Sequence, residues 1–372
     1  MQRQQQLAAW LQDLFPGKTF ALAPASADAS FRRYFRATFV DGTTRIIMDA
    51  PPQHEDCRPF LHVAKLFEEA GTHVPHVYAH DLQQGFLLLS DLGNTTYLQV
   101  LDGGTACRLY GSATDALIRI QLASRANELP PYDESLLRRE LNLFPDWYVA
   151  RHLGVTLSDR QQAALEECFR RILASNLAQP RVYVHRDYHS RNLMHIGHPL
   201  SNSLSETTSH STRLQTTAAK LLVIPLAGEG ENEKVNILTS PGILDFQDAV
   251  YGPITYDLVS LFKDAYIRWE EAEIMDWLIR YWEKARKAGL PVHADFGEFY
   301  RDYEWMGVQR HLKVLGIFAR LYHRDGKDGY LKDLPLVMDY LRAACARYID
   351  LKPLLNLLDE LEQREAQTGY TF

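Results

Sequence analysis

The segment 182–196, VYVHRDYHSRNLMHI, sets His185, Arg186 and Asp187 between apolar flanks, and Asn192 follows Asp187 by five residues. A second carboxylate, Asp245, stands further on in GILDFQDAV. Charges beside residues destined for burial must be paired or used, because an unpaired buried charge is expensive. A carboxylate that can take a proton from a hydroxyl, with a carboxamide and a second carboxylate as hard oxygen ligands, is the set that Mg²⁺-dependent phosphoryl transfer needs. On this reading Asp187 is the base, and Asn192 and Asp245 hold Mg²⁺ against nucleotide phosphates, where the metal neutralises charge on the transferring group. The competing reading, a buried salt-bridge network between strands, leaves Asn192 and Asp245 without a part. HRD alone recurs by chance. The signal is its combination with Asn192 and a later strand carrying ILDF.

The elements that must position these residues can be read from periodicity. Residues 4–15 pattern as an amphipathic helix, and a strand-rich section follows. SFRRYFRATFVDGTTRIIMDAPP holds two β-type runs around DG, a hairpin signal, and Pro51 and Pro52 end the second run. PFLHVAKLFEEAG reads as a helix with Phe60, Val63, Ala64 and Phe67 on one face, stopped at Gly71. GFLLLSDLG (85–93) is a short buried strand closing on a turn. Beyond it the pattern changes to long helices. Ala113, Leu117 and Ile120 recur at helical spacing, as do Leu258, Leu261, Phe262 and Ala265. The only clear strands among these helices are the 182–196 segment and PGILDF. The expected organisation is a small β-rich lobe over residues 1–93 and a larger, mainly helical lobe over 94–372. A Ser/Thr-rich segment, at about 197–238, interrupts the second lobe and reads as a loop-forming insert.

Composition limits the partners. The 372 residues carry a net charge of −7, so polyanion binding is disfavoured as the main job and any anion must be met by a local cationic cluster. Cys57, Cys107, Cys168 and Cys345 are scattered without zinc-type spacing and fit free thiols in a reducing cytosol. The first residues, MQRQQQLAAWLQDLF, lack the apolar core of a signal peptide, and no run reaches the roughly 20 apolar residues of a membrane span. A cytoplasmic protein acting on small molecules, with no nucleic acid, membrane or protein partner indicated, is the expectation.

VHRDYHSRNLM and ILDFQDAVYGPITYDLVSL resemble the aminoglycoside phosphotransferase and choline kinase superfamily, which shares the protein-kinase-like fold. DASFRRYFR, MDAPP, GFLLLSDLG, RELNLFPDWYVARHL, QRHLKVLGIFARLYHRDGK and YLKDLP are similar to one branch, the anomeric amino-sugar kinases of cell-wall recycling. The resemblance runs from about residue 26 to 345, outside the insert. It implies an α+β, bilobal fold with a small antiparallel-sheet N-lobe and a larger helical C-lobe. It also implies ATP and Mg²⁺ as cofactors and transfer to the C1 hydroxyl of N-acetylmuramate or N-acetylglucosamine. It makes Asp187 the catalytic base and Asn192 and Asp245 the Mg²⁺ ligands. Asp257 resembles the aspartate that braces the catalytic loop, and a helix N-cap at that position would serve both ends. LLLSDLG resembles the hinge, where the backbone of Ser90, Asp91 and Leu92 would meet the adenine edge. His185 and Arg186 would support the loop, while His189, Arg191 and His195 have no assigned part.

Two departures stand out. Protein kinases hold the α/β-phosphates with a Lys on the third strand, but Met48 occupies that place here, and alternation points Arg45 to the other face. No Gly-rich loop precedes it either. In ASADASFRRYFR, Ser26, Ser30 and backbone N–H groups are expected to cradle phosphate, with Arg32 or Arg33 supplying the cation, unless both arginines lie on the strand surface. For the acceptor, Lys313, Arg320 and Arg324 fall at +7 and +4 spacing on one helical face. They could receive the lactyl carboxylate of N-acetylmuramate through a bidentate contact, or form a solvated face. Arg310 and His311 are further candidates. Trp147 and Tyr148 suit the apolar side of a sugar ring and suit core packing equally. Two alternatives stay open at this point: a kinase for another hydroxyl compound such as an aminoglycoside, choline or homoserine, and a non-catalytic nucleotide-binding regulator.

Overall fold

A computed structural model describes residues 2–27, 31–196 and 241–362. Ser30 and the 197–238 insert lie outside the described residues. Helix α1 (Gln2–Leu14) precedes a five-stranded antiparallel sheet of order β1-β2-β3-β5-β4, with β1 Phe20–Ala27, β2 Arg33–Phe39, β3 Thr44–Asp49, β4 Val77–Asp81 and β5 Phe86–Ser90. Helix α2 (Arg58–Glu69) connects β3 to β4. β2 and β3 form the hairpin expected around DG, with Gly42 at φ 81° in the turn, a backbone state that suits glycine. β1 and β4 were not individually evident in the sequence, since Pro24 interrupts the one and the other is only half-buried.

Strand alternation gives the sheet two faces. Phe35, Ala37, Phe39, Ile47, Phe86 and Leu88 pack against Leu7 and Leu11 of α1. At roughly 2 kcal/mol for each fully buried large aliphatic side chain, this cover is what keeps α1 on the sheet. The other face carries Ile46, Met48, Leu87 and Leu89 toward α2 and the helical region.

After Ser90 the chain is mainly helical: α3 (Tyr97–Val100), α4 (Ala106–Leu122), α5 (Glu134–Leu141), a π-helical segment Phe144–His152, and α6 (Asp159–Ala178). Four short strands then form two ribbons. β6 (Arg181–Val184) pairs with β9 (Val250–Pro253), and β7 (Leu193–Met194) pairs with β8 (Gly242–Ile243). α7 (Tyr256–Phe262), α8 (Glu271–Lys287), α9 (Phe296–Asp325), α10 (Leu334–Arg347) and α11 (Lys352–Leu361) complete the chain, with 3₁₀ turns at Asp328–Asp333 and Ile349–Leu351. α9 runs buried through the middle, and at Gly316 it approaches Leu143 so closely that an added Cβ would lie 2.3 Å from the Leu143 carbonyl oxygen. Among these helices, β9 is the strand that the sequence reading missed. Among the described residues, no helix is long and apolar enough to cross a membrane, and all four cysteines are free thiols.

Candidate active site

The two ribbons explain how the chain holds its 185–192 loop. β6 ends at Val184, and its partner β9 leads directly into α7, so Asp257 in the first turn of α7 stands behind the start of the loop. Its carboxylate accepts the backbone N–H of His185 at 2.7 Å and of Arg186 at 3.0 Å. Burial raises the Asp257 carboxyl to about 7 against the pull of those two amide donors. Asp257 therefore sits where the loop-bracing aspartate was expected, but it is not the helix cap: Thr255 occupies that position. The far end of the loop has its own brace, which the sequence reading did not find. Asp264, just past α7, accepts the backbone N–H of Ser190 at 3.0 Å and its hydroxyl at 2.5 Å.

The β7/β8 ribbon does the second job. Leu193 pairs with Ile243, and the Leu244 N–H donates to the Asn192 carbonyl at 2.9 Å, which sets Asn192 beside Asp245. The Asn192 amide donates to the Asp187 carbonyl at 3.0 Å and points at Asp245 Oδ2 at 3.4 Å. Gln247 donates to Asp245 Oδ1 at 2.8 Å. His185 ties the two ribbons together. Its Nε2–H donates to the Leu244 carbonyl at 2.9 Å, and its Nδ1 accepts the Asp187 N–H at 3.2 Å. Burial lowers its pKa to about 4, so the ring is neutral and keeps that tautomer. Arg186 (φ 76°) and Asp245 (φ 62°) both adopt the left-handed backbone that costs a non-glycine residue about 1–3 kcal/mol. The surrounding hydrogen bonds hold both in place.

Asp187 opens into a cleft of about 540 Å³ between the sheet and the helices. Its side chain is 41% exposed, and Arg310 Nη2 stands 4.0 Å from Oδ1. Burial pushes the Asp187 carboxyl up, but Lys313, Arg310, His189 and Arg186 outweigh it and hold the pKa at about 2, so it is ionised at neutral pH. Behind Arg310 and Lys313 lies a buried network centred on Glu140 of α5. Glu140 pairs with Lys313 at 2.9 Å and with Arg186 at 2.5 Å, while Gln309 donates to it at 3.1 Å and the Tyr132 hydroxyl also donates. Burial raises the Glu140 carboxyl, yet Lys313 and Arg186 prevail and bring it to about 2. Arg310 donates to the Arg186 carbonyl at 2.8 Å and to the Tyr256 hydroxyl at 3.1 Å, and Lys313 donates to the same hydroxyl at 2.9 Å. The sequence does carry a trace of this. Glu140 falls on the helix face of Leu137, Leu141 and Phe144, where a carboxylate needs buried counter-charges.

The sheet side of the cleft is lined by Tyr34, Arg36, Ile46, Leu89 and the run Ser90 to Gly93. Ser90, Asp91 and Leu92 border the cleft. Met48 does not line it. This side chain is 1% exposed and packed in the core. Arg45 is on the opposite face, over the Tyr78 ring at 4.5 Å. The cation on this side is neither of those named from sequence. Arg33 sits across from Asp49 on the outer face, where Asp49 pairs with both Arg3 and Arg33. Arg32 pairs with Glu55 at 3.8 Å and is not part of the lining. Arg36 is, bound to Asp91 at 2.5 and 3.0 Å and to the Gly93 carbonyl at 3.2 Å. Ser26 lies at the end of β1, where its backbone pairs with Tyr34.

The acceptor-side candidates divide. Arg310 and Lys313 reach the cleft. His311 does not: it is buried and stacked on Tyr340 at 5.4 Å. Arg320 and Arg324 leave the stripe. Arg320 is absent from the lining, and Arg324 forms a bidentate pair with its neighbour Asp325. Tyr148 is core, stacked between Phe144 and His152, and Trp147 packs against that core. An aromatic wall does line the cleft, but it comes from Tyr266, Phe318 and Tyr330.

The donor chemistry suits a hard divalent cation. Among the described residues no cluster of three His, Cys, Asp or Glu side chains forms a closed metal cage. Asp245 and Asn192 offer two oxygen donors at one place. That leaves the remaining positions of an Mg²⁺ shell to substrate phosphates and water, the usual arrangement for that ion.

Comparisons with known proteins agree with this architecture. The phosphotransferase enzyme family model matches residues 21–201 and 236–296. The N-acetylmuramate/N-acetylglucosamine kinase of Neisseria meningitidis serogroup B is 48% identical over 100% of both chains, and that of Pseudomonas aeruginosa is 47% identical over 97% of both. Among solved structures, a choline/ethanolamine kinase family protein from Mesorhizobium loti superposes with a TM-score of 0.57 at 13% identity, covering 96% of this chain and 99% of that one. The similarity to that structure is one of fold.

Proposed function

The chain belongs to the phosphotransferase enzyme family, among the N-acetylmuramate/N-acetylglucosamine kinases, and on that premise we propose its reaction: ATP- and Mg²⁺-dependent phosphorylation of the C1 hydroxyl of these two amino sugars. The observation that carries the reading is the meeting of Asp187, Asn192 and Asp245 at the floor of one cleft, in a chain aligned end to end with kinases of that name. Residues 1–93 form the nucleotide-binding lobe, with Ser90, Asp91 and Leu92 beside the base, and residues 94–372 carry the catalytic loop and the sugar site. Asp187, ionised and open to the cleft, accepts the C1 hydroxyl proton as its oxygen attacks the γ-phosphorus. Asn192 and Asp245 are the Mg²⁺ ligands, and the bound ion supplies charge neutralisation at the phosphates. Arg310 and Lys313 face the same space and stabilise charge around Asp187. Asp257, Asp264 and His185 position the loop. The C1–O bond is not broken, so the anomer bound is the anomer of the product. A cytoplasmic place in peptidoglycan recycling fits such a reaction.

Incubation of the protein with Mg-ATP and either sugar, followed by phosphorus NMR of the product, tests the reading. A sugar 1-phosphate supports it. A 6-phosphate overturns the C1 assignment, and turnover retained by Asp187→Asn overturns the base. Absence of turnover with every hydroxyl acceptor would favour the non-catalytic regulator.

A further inference from the structure

Four cationic side chains line the cleft: Arg36, Arg191, Arg310 and Lys313. Three have a carboxylate within ion-pair distance, Arg36 with Asp91, Arg310 with Asp187 and Lys313 with Glu140. Among the described residues Arg191 has no ion-pair partner. Asp333 senses its charge, yet makes no ion pair with it. Instead Arg191 lies over two aromatic rings, 4.7 Å from the Tyr266 centroid and 5.8 Å from Tyr330. Both phenols act on its guanidinium through these ring contacts, but neither neutralises it. A guanidinium held on aromatic faces keeps planar, paired N–H donors available for a carboxylate fork.

Its position narrows the ligand. Arg191 stands four residues after Asp187 and just before Asn192, on a loop end that Asp264 clamps through Ser190. Whatever it holds is therefore placed relative to the base. It shares its wall with Tyr266, Phe318 and Tyr330, whereas Leu92 and Met194 line the hinge side of the cleft. N-acetylmuramate is N-acetylglucosamine with a lactyl ether on O3, so the two sugars in the relatives' name differ by one carboxylate.

We propose that Arg191, mounted on Tyr266 and Tyr330, is the specificity residue that reads the carboxylate of a carboxylated acceptor sugar in the cleft. The inference rests on the sugar-kinase reading above and adds to it the residue that separates its two substrates. N-acetylglucosamine is accepted in the same place without that contact.

The test measures kcat/KM of the full chain for N-acetylmuramate, its uncharged carboxamide and N-acetylglucosamine, in wild type, Arg191→Met and Arg191→Lys. A charge-assisted contact of this kind predicts that Arg191→Met lowers the N-acetylmuramate to N-acetylglucosamine ratio by about ten- to a hundred-fold. It should also abolish the wild-type preference for acid over carboxamide, and Arg191→Lys should recover part of the ratio. A parallel loss on all three sugars overturns the proposal, since it means that Arg191 serves the phosphates or the loop. An unchanged ratio overturns it as well. Should Arg191→Met melt early by circular dichroism, the wild-type acid-to-carboxamide ratio decides alone, and a ratio near one overturns the proposal. Wild type inactive on all three sugars is a different result: it removes the sugar-kinase reading, and the inference falls with it.

Discussion

On the sheet side of the cleft the lining is Tyr34, Ile46 and Leu89 with a single ion pair, Arg36–Asp91, and the position where protein kinases keep a Lys is a buried methionine. On the helical side, Asp187 sits on a loop clamped at one end by Asp257 and at the other by Asp264, beside the ion network of Glu140, Arg186 and Lys313. Apolar contacts tolerate small shifts, while buried hydrogen bonds and ion pairs have defined geometry and are expensive to leave unmade. The helical side therefore has the precision that a proton acceptor needs, and the sheet side offers a surface for a flat base. Changes on the helical side should affect turnover or stability. Changes on the sheet side should affect nucleotide affinity alone.

The strongest way to break this comparison is at its chemical point. Asp187→Asn keeps the shape but removes the proposed proton acceptor, and kcat should fall by about 10²–10⁴. The urea midpoint should move less than for Glu140→Ala, because the Arg310 guanidinium stands 4.0 Å from this carboxylate, at the edge of ion-pair range. Glu140→Ala comes next. It leaves Arg186 and Lys313 without their carboxylate in a buried site, and such a loss costs about 3–5 kcal/mol, read from urea unfolding. If stability holds, the network is not what fixes the helical side.

A pH series tests the loop more finely. The His185 pKa falls from an ordinary 6.5 to about 4 in the fold. The unfolded chain thus takes up a proton between those values while the folded one does not. Stability from this group is present above 6.5 and is lost as pH falls toward 4, by about 3 kcal/mol in all. His185→Gln should lose this slope relative to wild type, measured as the difference in unfolding free energy at pH 7 and 4.5.

On the sheet side, Arg36→Ala should raise KM for ATP by roughly three- to ten-fold, about the worth of one net hydrogen bond, with kcat little changed. A large loss of kcat instead would show that both sides take part in the chemistry. The smallest effect belongs to Arg324→Ala. Among the described residues it pairs with the adjacent Asp325 in the exposed last turn of α9, so turnover and melting temperature should match wild type for both sugars.

What the sequence determined by itself was which polar residues the catalytic-type loop brings together and the local faces. Asp187 and Asn192 were legible because a loop of fixed length between short strands constrains spacing within a few residues, and Asp245 because it follows the separate strand-like run GIL. Alternation likewise separated Arg45 from Met48. What only the tertiary structure decided was which face looks into the cleft and how far a stripe extends. Arg33 and Arg36 are both arginines of one strand, but three residues apart they face opposite sides, and only the cover of the outer face by α1 assigns Arg36 to the cleft. Lys313 and Arg324 share a helical face in projection, yet at 1.5 Å per residue they stand about 16 Å apart along α9, too far for one small acceptor. Trp147 and Tyr148 were equally fit for a sugar or a core, and the packing of the π-helical segment against α9 placed them in and against the core. The Glu140 network joins α5, the catalytic loop and α9, elements distant in the chain. Its charges could be noticed in the sequence, but their pairing exists only where the fold brings them together.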